Sequence, residues 1–571
     1  MIFHKSLFPG SCMPYCPSRS LYKSPAHLKL LWILYCSLAC CCLCISPSHS
    51  FAENNSLGLL DSVRSALQNQ ADIQFGELDV ELAERKYQEQ SGQFDTRLRT
   101  GAEHGETRRP LGSGNYADHE LQKESSYHLG LEKLFRTGLV LSPELRTTRT
   151  EVDKKVPSEP SQIPVFDINN EPIGYWLRSP SSTPPPQSRS GVYLKATLPL
   201  LQGLGKEASA GLETAARQDA QIAKTELQHS ISQVVQETSL AYWNYVHDYL
   251  YLKQQRQAEQ RAREMYEQVQ ALVEADEMPE AELAESRANI SEKRTQRISA
   301  EQALTQSRLD LGLAMGVPSP RIRNLPPPRD TFNLLQTSRK ILSQINSSSL
   351  IAYAVQTRHD LQASKGSQET AAIREKVYED RTRPNLDLGM RAGYEGLEEG
   401  DTYSRMPESS TSNVRGMSWQ MSLTYEFPVE NREARGRLGQ QRVEKRRQAL
   451  QNRELSRDIQ SRVHTALSVL RQHFLELENA RDTVRLYKEA VENQEMKFRM
   501  GMGTQLDLIN TQDNLTQARL RRIDSHFKCA RALIELRYQT ATLVSFVQDQ
   551  AQVDLENLTN LPQPGTKALE N

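Results

Sequence analysis

The stretch SWQMSLTYEFPVENREARG, residues 418 to 436, changes its period halfway along. Trp419, Met421, Leu423, Tyr425 and Phe427 alternate with Gln420, Ser422, Thr424 and Glu426, which specifies a strand with one apolar and one polar face. Pro428 follows, and then about seventy polar and charged residues without a proline. The chain makes the same switch in VYLKATLPLLQGLGKEA, residues 192 to 208. Proline removes a ladder donor, and its fixed φ is compatible with a first helical turn, so Pro199 and Pro428 are expected at strand-to-helix junctions. The helices that follow are expected near 204–275 and 430–500. At ~1.5 Å per residue each would be on the order of 110 Å long, far more than a globular domain needs.

Composition agrees with an extended, well-solvated molecule. Hydrophobic residues make up 37% of the 571-residue chain, below the usual share for a globular protein. The formal net charge is −1, so bulk charge selects neither nucleic acid nor lipid headgroups as a partner.

Residues 1–52 contain no Asp or Glu and carry an apolar run over 30–45. With Ser50 and Ala52 before a cleavage point, they read as a secretory signal. Seven of the eight cysteines lie there, in an apolar setting without His partners at zinc spacing. LAC at 38–40 makes Cys40 a candidate lipidation site. After cleavage only Cys529 would remain, so no intramolecular disulfide is expected. The rest of the chain has no apolar run near the ~18 residues of a spanning helix, so entry into a membrane would require a closed barrel.

Residues 53–316 and 347–546 read as two similar repeats, joined by a linker over 317–346 and followed by an irregular tail over 547–571. Each repeat opens with a helical stretch, 57–92 or 347–378. Each then has a strand, a polar loop and a second strand, giving 94–102, 192–198, 386–394 and 419–427. Each closes with a long helix, a short break (EADEMPE or RMGMGT) and one more helix. Shifting the first repeat by 225 positions brings Leu283 onto Leu508, Ile290 onto Leu515 and Leu311 onto Leu536, the mark of a duplicated domain. In the last helix Leu506, Ile509, Asp513, Thr516, Leu520, Ile523, Phe527, Ala530 and Ile534 follow 3,4 spacing, a coiled-coil seam with polar members. The segment 147–190, with PSEPSQIP and SSTPPPQ, reads as loop. Residues 127–150 alternate around Thr137–Gly138 and read either as an extra hairpin in that loop or as an extension of the barrel strands.

Four two-faced strands leave edges, and edges are not tolerated in lipid. Three chains would supply twelve, an even-stranded barrel with aromatic residues near the strand ends, Phe94 and Phe427 among them. The fold class expected is therefore mainly α with transmembrane β.

The two junctions TLPLLQG and YEFPVEN, SLAYWNY at 239–245 and FRMGMGTQLDLINTQDNL at 498–515 resemble the TolC family of outer-membrane channel-tunnel proteins, over roughly 57–547. The resemblance implies a homotrimer with a twelve-stranded barrel and an α-helical tunnel across the periplasm. Its partners would be a periplasmic adaptor and an inner-membrane pump of ABC, RND or MFS type, and its cargo drugs, small toxic molecules or secreted polypeptides. It also implies that Asp507 lies at the closed periplasmic entrance. Asn510 stands at a second, usually acidic position, Gly503 where a basic residue helps latch the entrance, and Phe498 at an aromatic latch position without its hydroxyl. Gly501, Gly503 and Thr504, with Pro279 and Glu282 in the first repeat, are the expected entrance turns. Independently of the resemblance, Thr504-x-x-Asp507 fits a helix N-cap.

GLGK at 203–206 lacks phosphate-loop spacing. His464 and His473 are too far apart on one helix to share a metal. No nucleophile motif is present. The sequence reading is a passive outer-membrane export duct with no enzyme activity, cofactor, metal or nucleic-acid partner. The alternative is a periplasmic coiled-coil adaptor or structural protein whose strands form a small β-domain.

Overall fold

A computed structural model describes residues 56–110, 119–154, 161–178, 185–332, 345–548 and 550–562. The expected signal over 1–52, with Cys40, lies outside them. Nine helices of five or more residues are described: α1 Leu59–Asn69, α2 Ala71–Ser91, α3 Gly211–Glu274, α4 Ala281–Ala314, α5 Ser347–Thr357, α6 His359–Asp380, α7 Arg432–Arg499, α8 Gln505–Gln539 and α9 Leu555–Thr559. The strands are β1 Arg97–Pro110, β2 His119–Leu134, β3 Val140–Lys154, β4 Ser161–Phe166, β5 Pro172–Arg178, β6 Gln187–Pro199, β7 Asn385–Glu399, β8 Val414–Glu426, β9 Ser545–Val547 and β10 Gln550–Gln552.

The 64 residues of α3 and 68 of α7 make rods of ~96 and ~102 Å. α3 folds back on α4, and α7 on α8, through short turns. α2 and α6 both pack on α3, and α8 joins the two hairpins by packing on α3. The seam of α8 is buried at Ile509, Thr516, Leu520, Ile523, Ala530 and Ile534, whereas Leu506 at its first turn is exposed.

SLAYWNY lies midway along α3. Tyr242, Trp243 and Tyr245 are fully buried. Each removes on the order of 200 Å² from water, worth up to ~5 kcal/mol. Trp243 stacks on Phe332 at 5.3 Å, and Phe332 on His526 at 5.6 Å. The Tyr242 hydroxyl lies 3.0 Å from the Leu57 carbonyl and 2.9 Å from the Asp330 carboxylate. Phe332, in the expected linker, therefore closes this core.

The main sheet corrects the expectation of four strands. It has six, in the order β1-β2-β3-β6-β7-β8, all antiparallel. The alternation over 127–150 belongs to two full strands of this sheet, β2 and β3, which lie between β1 and β6. The described residues of the Pro-rich segment are mostly strand. β3 runs to Lys154, β6 begins at Gln187, and β4 pairs with β5 in a separate hairpin. Pro164 and Pro172 are tolerated there because a two-stranded ribbon leaves many donors unpaired anyway.

The tail is described as far as residue 562, apart from 549, and has regular elements there. β9 and β10 form a hairpin, and α9 buries Leu558. The Arg537 guanidinium fixes the tail by donating to the carbonyls of Thr542 at 2.9 Å and Leu561 at 3.3 Å.

The prolines end their strands, but neither strand runs straight into a helix. After Pro199 the chain turns through Gly203 and Gly205, both at positive φ, before α3. After Pro428 it turns through Asn431, at φ 44°, before α7. Both turns are tied to the end of α6: Gly203 N–H donates to Asp380 at 2.6 Å, and the Asn431 amide donates to the Thr382 carbonyl at 2.9 Å. Phe94 is not at a strand end facing outward. It is buried in a 3-10 turn over Gly92–Phe94, with the Arg136 guanidinium 4.8 Å from its ring centre.

Candidate functional site

Because successive residues of a strand face opposite ways, the six strands divide the sheet into an apolar and a polar face. One ladder row runs Thr100, Leu129, Leu145, Val192, Tyr394, Met417. The same face carries Leu194, Met390, Trp419, Met421, Leu423 and Tyr425, all exposed. The next row, on the other face, is Arg99, Gly130, Glu144, Tyr193, Gly393, Ser418. Charges of both signs pair across that face: Arg99 with Glu132 at 2.8 Å and Arg146 with Glu144 at 2.8 Å. The Tyr193 hydroxyl donates to Glu395, and Arg391 lies 4.6 Å from the Tyr193 ring centre.

Every residue of β8 is exposed, and every residue of β1 except the half-buried Gly101. These two strands are the sheet's edges. A sheet with one bare apolar face and two free edges is unfinished as a water-soluble object. Among the described residues no helix is long and apolar enough to cross a membrane.

The far ends of the long helices form two tips. In the first, Asp276 takes a left-handed φ of 57°, and the Pro279 carbonyl accepts from Glu282 N–H, in the first turn of α4, at 3.2 Å. In the second, Gly501 (φ 71°) closes α7. Met502 N–H donates to the Lys497 carbonyl at 2.9 Å, and Gly501 N–H to that of Phe498 at 3.0 Å. Thr504 caps α8: its hydroxyl oxygen accepts from Asp507 N–H at 3.1 Å and donates to the Asp507 carboxylate at 2.6 Å. The reciprocal cap that the spacing implies is therefore present, made through the hydroxyl.

Asp507 and Asn510, three apart, lie on one exposed side of α8. Phe498 is half-buried and packs into a small core with Met265, Val269, Val273, Met278, Leu283 and Leu508. Leu283 and Leu508, matched by the 225-residue shift, thus share one cluster. A Cβ on Gly503 would meet Gln494 Nε2 at 3.1 Å and Lys497 Cβ at 3.5 Å, so a side chain there would crowd the end of α7.

Above the tips, polar bridges tie α8 to the first hairpin. Gln505 donates to the buried Ser286 hydroxyl, Lys293 pairs with Asp513 at 2.7 Å, and Arg261 donates to Thr516 at 2.9 Å. Higher still, Glu259 accepts from Arg263 and Arg297. Burial opposes its charge, but the two guanidinium groups outweigh it and hold the carboxyl below the ordinary range. Asp513 and Thr516 were visible as polar members of the seam. Lys293 and Ser286 were not, because α4 is polar on most of its surface and nothing local marks which residue turns inward.

Among the described residues no group of three His, Cys, Asp or Glu side chains is placed to hold a metal. His473 donates or accepts within its own helix at 3.0 Å from Glu476, and Cys529 is buried and free.

No protein-family model and no curated protein matches the sequence. Solved structures do. The CmeC outer membrane channel of Campylobacter jejuni matches with a TM-score of 0.57 at 15% identity, over 85% of each chain. CusC matches with 0.58 at 14% identity, over 84% of this chain and 91% of that one. The open-state MtrE outer membrane channel of Neisseria gonorrhoeae matches with 0.54 at 14% identity, over 84% and 88%. This chain therefore has the fold of the TolC-like outer membrane channels.

Proposed function

We propose that the chain is the outer-membrane duct of an export system: a homotrimer whose sheets form a barrel in the outer membrane and whose helices form a tunnel into the periplasm. The observation that carries this reading is the six-stranded sheet with an apolar outer face, a charged inner face and two unpaired edges, joined to rods of ~100 Å. An apolar face suits lipid only if no edge remains, and closure requires further copies.

The duct is passive. Cargo, drugs or small toxic molecules or secreted polypeptides, is delivered by an inner-membrane pump of ABC, RND or MFS type through a periplasmic adaptor that grips the helical tips. Around the closed end, the exposed Asp507 of three copies rings the axis, with Asn510 one turn on, and the acidic ring favours cations and holds itself apart. Phe498 locks the second tip against the first by packing. Gly501, Gly503 and Thr504 shape one entrance turn, and Pro279 and Glu282 the other.

The test is fractionation of the cell envelope, extraction in mild detergent and measurement of native mass with detergent subtracted. A trimer from the outer membrane is expected. A monomer or dimer released without detergent would overturn this reading in favour of a periplasmic coiled-coil protein.

A further inference from the structure

We propose that β1 of one copy pairs antiparallel with β8 of the next, Arg97 beside Glu426, so that three copies close an eighteen-stranded wall. The proposal rests on the trimeric reading above and goes beyond it in strand number and register.

The β2–β3 hairpin belongs to the wall rather than to a surface loop. Tyr127, Leu129 and Leu131 of β2 and Leu145 of β3 are exposed, and they share the apolar face with Leu194, Met390 and Trp419. Its turn sits at the helical side and is fastened there. Gly205 N–H donates to the Thr137 carbonyl at 3.1 Å, and Arg136 donates to both Glu213 oxygens on α3 at 2.6 and 2.7 Å. A hairpin standing outside a twelve-stranded barrel would have no reason to carry lipid-type side chains at the same level as its neighbours.

The register sets how the edges meet. From the row Thr100–Leu129–Leu145–Val192–Tyr394–Met417, each strand continues toward the helices to its own end. The end is three residues on at Arg97, five at Leu134, five at Val140, seven at Pro199, nine at Asn385 and nine at Glu426. The rim thus slips six residues across the sheet, always in one sense. All strand ends on the helical side share one level in a closed ring, so the next Arg97 falls beside Glu426.

A slip of six residues at ~3.3 Å, over six strand spacings of ~4.8 Å, corresponds to a tilt of ~35°, within the range of closed barrels. A slip of four gives only ~25°. A slip of eight would put Arg97 opposite Pro428, which has no ladder donor. Odd slips would exchange the two faces. With six, Leu98, Thr100 and Ala102 oppose Tyr425, Leu423 and Met421 on the apolar face. Arg97 opposes Glu426 on the polar one, a charge pair that fixes the register.

Barrel diameter grows roughly linearly with strand number, so this wall is ~1.5-fold wider than one of twelve strands. The same edges closing on each other within one chain would give six strands, too few to leave a lumen.

Two readouts test this in the full-length chain. First, Thr100→Cys with Leu423→Cys is oxidised in membranes. Covalent trimers are expected on a denaturing gel. The slipped pairs Thr100→Cys with Met421→Cys and Thr100→Cys with Tyr425→Cys should stay largely uncrosslinked, because a two-residue slip moves the Cα atoms to ~7–8 Å, beyond disulfide reach. Intrachain linkage, or preferential linkage of a slipped pair, overturns the proposed register. Second, a bimane label on Leu129→Cys, or in a separate variant on Leu145→Cys, should be quenched by nitroxide lipid as strongly as one on Met421→Cys. Quenching at Met421 but at neither hairpin site overturns the eighteen-stranded wall. A trimeric native mass with either negative result sinks only this proposal, whereas a mass that is not trimeric sinks the duct reading itself.

Discussion

The Lys293 ammonium lies 2.7 Å from the Asp513 carboxylate, and this pair joins α4 to α8 two turns above the capped start of the last helix. Lys293 is buried, with only 5% of its surface exposed. Asp513 is more open, so solvent screens the pair from one side.

The two halves of this pair should not respond equally. Asp513→Ala leaves a buried ammonium unpaired and is expected to cost about 2 kcal/mol, between the surface and fully buried limits. Lys293→Met removes the charge that needs a partner and should cost less than 1 kcal/mol. Denaturant midpoints of the two variants check the ordering, and equal losses would show that the buried charge is not what matters.

Asp507 combines a cap with a proposed ring of charge, and the two roles separate in one series. Asp507→Asn keeps an acceptor for the Thr504 hydroxyl and should change stability by less than ~0.5 kcal/mol. It should nevertheless reduce cation selectivity in single-channel recordings. If Asp507→Asn and Asp507→Ala both leave conductance and selectivity unchanged, the cap is the whole role.

His247 supplies a pH dependence. Its ring nitrogens lie 2.8 Å from Asp248 and 2.8 Å from Asp524. Burial disfavours the charged ring, but the two carboxylates outweigh it and raise the pKa above 6.5. Because the folded value is raised, its contribution is fully present below about pH 6.5 and is lost as pH rises through the folded value. Stability of the native protein, measured between pH 6 and 9, should fall over that window. His247→Gln should flatten this part of the profile, and an unchanged slope would remove His247 as its source.

Gly138 turns the β2–β3 hairpin at φ 93° against the Gly203 carbonyl, and a Cβ there would also come within 2.9 Å of the Pro199 ring. Gly138→Ala therefore combines backbone strain with a clash and should cost about 2 kcal/mol or more. The measurable result is a lower yield of heat-resistant oligomer, with helix content retained in the unassembled chain.

Arg149, 3% exposed, donates to the carbonyls of Gly400 and Thr402 at 3.1 Å and Asp401 at 2.9 Å, and stacks over Tyr403. It holds the β7–β8 loop against the outer end of β3. Arg149→Lys cannot reach all three carbonyls, since it lacks the planar fork. Limited proteolysis should cut that loop near Gly400–Ser404 several times faster in the variant, and equal rates would show that the loop is held by other contacts.

The sequence alone determined the local geometry. Period-two and period-3.6 patterns marked four strands of the sheet and the long helices, and the cap at Thr504 and the seam from Ile509 to Ile534 could be read from spacing. These features depend on residues within a few positions of each other, where side-chain direction follows directly from backbone type. Partnership was decided only by the tertiary structure. β3 pairs with β6 across a Pro-rich segment, and that pairing turns an ambiguous stretch into two strands of the main sheet and four strands into six. Alternation over 127–150 is diluted by Lys133, Pro143 and Thr147 on the apolar face, so the local pattern could not separate a strand of the main sheet from a loop hairpin. In the same way, nothing near Lys293, Ser286 or Phe94 indicates burial. Each is placed by helices and strands distant in sequence, and an inward-facing polar residue is recognisable only once its partner is in position.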